Sequence, residues 1–362
     1  MLKKTLLLTL LAVSPFVSAA EEKVLNIYNW SDYIADDTVA RFEKETGIKV
    51  RYDVYDSNEI LQAKLLSGKS GYDIVVPTNA FLARQIQSGI YQKLDKAKLS
   101  NYKNLDPQVL KTTTKFDPGN AYAIPYLWGM NTVGINVKKV NQALGGKLPE
   151  RQFDLLFKPE YVSKLKSCGV SVLDSPSEVF PTALHYLGKN PNSTDPADLK
   201  AAADLLKSIR PHITRFSSSG YINELANGEL CLVFGYGGDL NIARRRAIET
   251  KNGVDIKPLV PKEGVELWFD SMVIPKDARH PDNAHKFLNF IMRPEIIAAI
   301  STKVTYANGN QAARPLLDKS LTSDPSIYPS AATVNAGYVQ MPLDPKSQRL
   351  ITRYWQEIKT RK

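Results

Sequence analysis

Apolar positions in the first third of the chain recur in short runs separated by helix-like stretches. Val24-Leu25-Asn26-Ile27-Tyr28 is β-branched and aromatic, which predicts a buried strand. Asp36-Asp37-Thr38 is a cap signal for a helix over Val39 to Glu45, and Gly47 is its stop. Ile48 to Tyr55 predicts the next strand, and Ser57-Asn58-Glu59 opens a helix Ile60 to Ser67 that stops at Gly68. Tyr72 to Val76 predicts a third strand, ending in Pro77-Thr78-Asn79. Leu82 and Ile86, four apart, share one face of a helix that stops at Gly89. Strands alternating with helices predict a mostly parallel sheet flanked by helices, an α/β architecture.

Beyond this the pattern changes. Ala123 to Asn136 is long, extended and apolar, and is expected to cross into a second lobe. A second extended run, Leu267 to Pro275, is expected to cross back. The helix Asn283 to Met292 then packs on the first lobe, and a third crossing is expected near Tyr306-Ala307-Asn308. The expected division is residues 21–128 with 270–308 as lobe 1, and 129–269 with 309–362 as lobe 2. A chain of this length exceeds what one core usually serves, which agrees with two lobes.

Residues 1–20 have the form of an export signal. Lys3-Lys4 precede the apolar stretch Leu6 to Val13, and Val17-Ser18-Ala19-Ala20 is a small-residue cleavage site. No other stretch is apolar for long enough to span a bilayer, so no membrane insertion is expected. Cys168 and Cys231, an even pair in an oxidising compartment, are expected to be bonded. The formal charge is +10, and removing the two signal lysines leaves +8. The basic residues are spread out. The densest run, Arg244-Arg245-Arg246, reads as a solvated helix face, so no nucleic-acid partner is expected.

Chemistry enters with Asn29-Trp30-Ser31-Asp32-Tyr33. This segment presents an indole, a hydroxyl and a carboxylate at the carboxyl end of a strand, where open α/β sheets bind ligands. A carboxylate beside an indole suits an organic cation. A plain strand-to-helix turn with an incidental Trp fits those five residues equally well. Catalytic motifs fail. Gly68-Lys69-Ser70 lacks the upstream glycine of a phosphate loop, since position 63 is Ala63. His185, His212, His280 and His285 have no zinc or nucleophile spacing around them. The chain is therefore expected not to be an enzyme, with neither metal nor cofactor.

Six segments in order resemble the periplasmic polyamine-binding proteins of ATP-driven (ABC) importers: "YNWSDYI" at 28–34, "ETGIKVRYDVYDSNEILQAKLLSGKSGYDIVVPT" at 45–78, "YAIPYLWG" at 122–129, "LDSPSEVFPTALHYLG" at 173–188, "YINELANGELCLVFGYGGD" at 221–239 and "PKEGVELWFD" at 261–270. The resemblance implies the two-lobed periplasmic binding protein fold of type II, with the ligand in a cleft between lobes joined by three crossings. It carries a ligand set onto Trp30, Ser31, Asp32, Tyr33, Thr78, Glu178, Tyr236, Asp239, Trp268, Asp270 and Tyr306. Thr78 stands where the family usually has Ser. The two cysteines match the family's disulfide.

The implied function is capture of putrescine or spermidine in the periplasm and delivery to an inner-membrane ABC permease, by a monomer. A diamine needs acceptors at both ends of an apolar stem and aromatic walls between them. Asp32 and Asp270 are expected as the principal ammonium acceptors, with Glu178 and Asp239 across the cleft. Another organic cation such as agmatine is the alternative ligand, and an exported hydrolase the alternative class.

Overall fold

The computed structural model describes residues 21–360, so the expected export segment 1–20 lies outside the described residues. Eleven strands form one mixed sheet among these residues: β1 Val24–Trp30, β2 Lys49–Tyr55, β3 Ile74–Val75, β4 Ala123–Asn136, β5 Val170–Val172, β6 Arg215–Phe216, β7 Leu232–Tyr236, β8 Ile256–Pro258, β9 Glu266–Val273, β10 Ala307–Asn308 and β11 Tyr338–Val339. Their order along the main path is β2-β1-β3-β9-β4-β7-β5-β6.

The parallel pairing expected of the first third is found there, and the same pairing recurs at the opposite end of the sheet. β1 lies parallel between β2 and β3, and β5 lies parallel between β6 and β7. The middle is antiparallel: β9 runs against β3 and β4, and β4 runs against β7. The reason is the two long crossing strands, which return across the sheet and so reverse the local direction. The first half of β4 pairs with β9, while its second half pairs with β7 and β8. β10 adds to β4 opposite Leu127 and Trp128.

Local chemistry explains the flanking helices. Ser57 caps the helix Asn58–Leu66 by accepting the Ile60 N–H. Gly47 ends the helix Thr38–Thr46 at φ +69°, a left-handed position that suits glycine. Asp37 precedes that helix as expected, yet its side chain makes no capping bond. The helix Pro281–Ile291 packs on the β1 half, where Phe42 meets Phe287 at 5.0 Å and Phe290 at 5.5 Å between ring centroids. Burying each such ring is worth about 1.5–3 kcal/mol.

At the other end the final helix, Pro345–Thr360, packs on the helices Pro176–Tyr186 and Pro196–Ile209. The Cys168–Cys231 disulfide ties the start of β5 to the start of β7, closing a separation of 63 residues. Among the described residues no helix is long and apolar enough to cross a membrane.

Candidate functional site

The β-to-α turns of both halves converge on a narrow cavity. Ten of the eleven residues expected from the sequence line it: Trp30, Ser31, Tyr33, Thr78, Glu178, Tyr236, Asp239, Trp268, Asp270 and Tyr306. Asp56 and Ser218 complete the lining and carried no signal in the sequence.

The walls are aromatic. Trp30 meets Tyr236 edge-on at 6.0 Å, Tyr236 meets Trp268 at 6.1 Å, Trp268 meets Tyr306 at 5.3 Å, and Tyr306 meets Tyr33 at 5.2 Å. These edge-to-face contacts link the five rings into one aromatic wall around the cavity. Two glycines make room for it. A side chain at Gly129 would bring Cβ within 2.7 Å of the Trp268 ring, and one at Gly238 would overlap the Tyr306 ring. Polar anchors lock the rings. The Trp30 indole N–H donates to Val76 O at 2.8 Å, and the Trp268 indole N–H donates to Asn131 Oδ1 at 3.0 Å.

Three carboxyl groups stand in this box. Asp270, in the middle of β9, accepts from Tyr33 OH at 2.9 Å and from Thr78 Oγ1 at 2.7 Å. Thr78 is itself held by Asn58, whose Nδ2 donates to its Oγ1 at 2.9 Å. Asp239, in the first turn of the helix Gly237–Thr250, accepts from Tyr221 OH and Tyr306 OH, each at 2.7 Å. Glu178, in the first turn of the helix Pro176–Tyr186, accepts from Asn131 Nδ2. All three are buried, at 3 % (Asp270), 8 % (Asp239) and 2 % (Glu178) exposure.

Burial pushes Asp270 up to about 7 even though Thr78 and Tyr33 oppose the shift. Burial likewise raises Asp239 to about 6, against the pull of its two tyrosine donors. Glu178 is raised by burial too, against the Asn131 donor. Among the described residues no Lys, Arg or His forms an ion pair with any of the three, and Arg246 favours ionised Asp239 only as a minor influence. Buried acids without counter-charge prefer to be neutral, and a cation entering the box would be the partner that ionises them. Among the described residues no three His, Cys, Asp or Glu side chains gather as a metal site.

Two expectations need correction. Asp32 does not line the cavity. Its backbone is left-handed, φ +53°, which turns the carboxylate outward to Arg246 Nη2 at 2.8 Å. Arg244-Arg245-Arg246 is correspondingly more than a solvated face. Arg244 pairs with Asp324, Arg245 with Glu249, and Arg246 with Asp32 and Asn223. Further links join the two sides of the cavity mouth. Ser177 Oγ donates to Glu59 Oε1 at 2.8 Å, and Ser219 Oγ to Asp56 Oδ2 at 3.4 Å.

Comparison with known proteins agrees with this architecture. The family model described as "Bacterial extracellular solute-binding protein" matches residues 37–329. The chain is 54 % identical to the putrescine-binding periplasmic protein SpuD of Pseudomonas aeruginosa (strain UCBPP-PA14), over 99 % of this chain and 98 % of that one. It is 51 % identical to the putrescine-binding periplasmic protein PotF of Escherichia coli (strain K12), over 98 % and 96 % of the two chains. A solved structure titled as a putative spermidine/putrescine ABC transporter from Listeria monocytogenes superposes with a TM-score of 0.83 at 33 % identity, over 93 % of this chain and 99 % of that one. A cleft walled by two halves of one sheet, together with likeness along nearly the whole length, leads to one conclusion: the chain belongs to the bacterial extracellular solute-binding proteins, binding proteins and not enzymes, with the two-lobed type II fold.

Proposed function

We propose that this protein captures a polyamine, putrescine or spermidine, in the periplasm and delivers it to an inner-membrane ABC permease. The observation that carries this reading is the placement of three buried carboxyl groups without counter-cations inside one aromatic box. Asp270 comes from the β9 crossing, while Asp239 and Glu178 come from helices of the β7 half. A ligand with a cation at each end and an apolar stem can satisfy acids on both sides at once. One copy of the chain supplies every lining residue, so a monomer suffices. SpuD and PotF, at 54 % and 51 % identity, are both named for putrescine, which makes putrescine the first ligand to titrate.

The lobes are taken as residues 21–128 with 270–308, and 129–269 with 309–362, hinged at the crossings near 126–131, 267–273 and 306–312. Packing of the 3-10 segment Gln311–Leu316 on the helix Pro294–Val304 supports a last crossing nearer residue 317 than 309. Asp32 and Arg246 then act on closure and not on the ligand. A ligand that bridges both lobes favours the closed form, the condition for a population shift that a permease can read.

Thermal melting with putrescine, spermidine, agmatine and a neutral sugar tests the assignment. A ligand present at a hundred times its Kd stabilises the folded state by about 2.7 kcal/mol. Polyamines should raise Tm and the sugar should leave it unchanged. A rise with the sugar alone would reject the reading.

A further inference from the structure

Behind the cavity, outside its lining, stands an acid with no assigned task. Glu266 opens β9 and is 1 % exposed. Its side chain meets that of Glu178 within hydrogen-bonding reach, and its Oε2 has no donor. In register it lies between Asn131 of β4 and Tyr338 of β11. Asn131 donates to Glu178 while accepting from Trp268. The Tyr338 hydroxyl meets Thr182 Oγ1 at 3.1 Å, and Thr182 bonds back to Glu178 O at 2.9 Å.

The other titratable groups facing the pair offer no positive charge to it. Asp270 follows on the same strand, Glu59 faces Glu178 from the helix Asn58–Leu66, and Tyr236 and Tyr338 flank it. His185, its ring 4.9 Å from that of Tyr338, spends Nε2 on Glu263 O at 2.8 Å. Two carboxylates touching at this depth cannot both be charged, since burial and like charge each favour a proton. An O–H placed between them replaces repulsion with a short, charge-assisted bond. Glu178 already accepts from Asn131 Nδ2 while Glu266 Oε2 has no donor, so the proton belongs on Glu266.

We infer that Glu266 is a neutral carboxylic acid whose O–H holds Glu178 in place as the single negative charge at that end of the cavity. Glu266 is thus a positioning residue for a cationic ligand, and this role rests on the binding reading above. Two acids stand at this end, yet the ligand meets one charge.

Infrared spectroscopy of the ligand-free protein in mildly alkaline buffer tests the proton directly. A protonated carboxyl band should be present and should disappear in Glu266→Gln. Its absence from the wild type would overturn the inference without touching the question of ligand. Calorimetric titrations with putrescine across pH then test the positioning role. Glu266→Gln keeps a neutral donor and should bind within about threefold of wild type, with the same pH profile. Glu266→Leu removes the donor, so the pH below which binding weakens should move upward. A downward move would mean that Glu266 is ionised, and the inference would fail. If the wild type binds no putrescine while the band is present, the binding reading fails and the proton placement stands.

Discussion

Asp32 accepts a 2.8 Å hydrogen bond from the Arg246 guanidinium, joining the turn after β1 to the helix Gly237–Thr250 on the other side of the cavity. The two side chains are 41 % and 33 % exposed, so this is a surface pair, worth about 0–1 kcal/mol. Asp32→Asn should therefore weaken polyamine binding by less than about tenfold, mostly through faster ligand release. Small-angle scattering should show a smaller radius of gyration when polyamine is added, in wild type and variant alike. A loss of a hundredfold or more would instead place Asp32 on the ligand.

Asp270 is the opposite case. It is buried, and its two oxygens are held by Tyr33 and Thr78 in a fixed direction. Asp270→Asn leaves the ligand's ammonium buried without its charge, at a cost of ~3–5 kcal/mol, or a hundredfold and more in affinity. Circular dichroism should show the fold unchanged. Binding within twofold of wild type would remove Asp270 from the site.

The raised acids make binding and stability depend on pH in opposite senses. Asp270 and Asp239 have folded values of about 7 and about 6, above their ordinary carboxylate range. In the ligand-free protein a raised acid contributes stability that is complete below its unfolded value and is lost as pH rises through the folded one. Between pH 4 and 7 the Tm of the wild type should therefore fall relative to that of Asp270→Asn. Polyamine affinity should do the reverse, weakening as pH drops below 7, because the ligand needs both groups ionised. Parallel melting curves for the two proteins across that window would contradict the assignment.

Gly238 is a packing prediction. Any Cβ there overlaps the Tyr306 ring, which anchors Asp239 through its hydroxyl. Overpacking of this kind costs about 1–3 kcal/mol. Gly238→Ala should displace the ring and lower affinity by at least tenfold, with a smaller effect on Tm than on binding. Equilibrium dialysis of labelled putrescine measures the first, and wild-type affinity would show that the ring is free to move.

Much of the site was legible because its residues lie where periodicity breaks. Trp30 ends an apolar strand and Ser31 to Tyr33 follow it, Thr78 caps a helix just after another strand, and Glu178 and Asp239 lie in first turns of helices. What stayed hidden depends on contacts far apart in the chain. Nothing local tells that Asp32 turns outward at φ +53° toward a residue 214 positions away. Glu266 is one polar position in the run "VELWFD", and only the β4–β9 register sets it beside Asn131, the donor to Glu178. The antiparallel middle of the sheet is hidden for a related reason. Alternating strands and helices predict parallel pairing, whereas the crossings β4 and β9 run antiparallel to their neighbours.

Calorimetric titration of the purified, ligand-free protein with putrescine and spermidine at neutral pH tests the central claim most directly. One saturable site per chain is expected for at least one of the two, with affinity reduced a hundredfold or more in Asp270→Asn, as argued above. A flat titration with both polyamines, in protein whose circular dichroism shows it folded, would contradict the account.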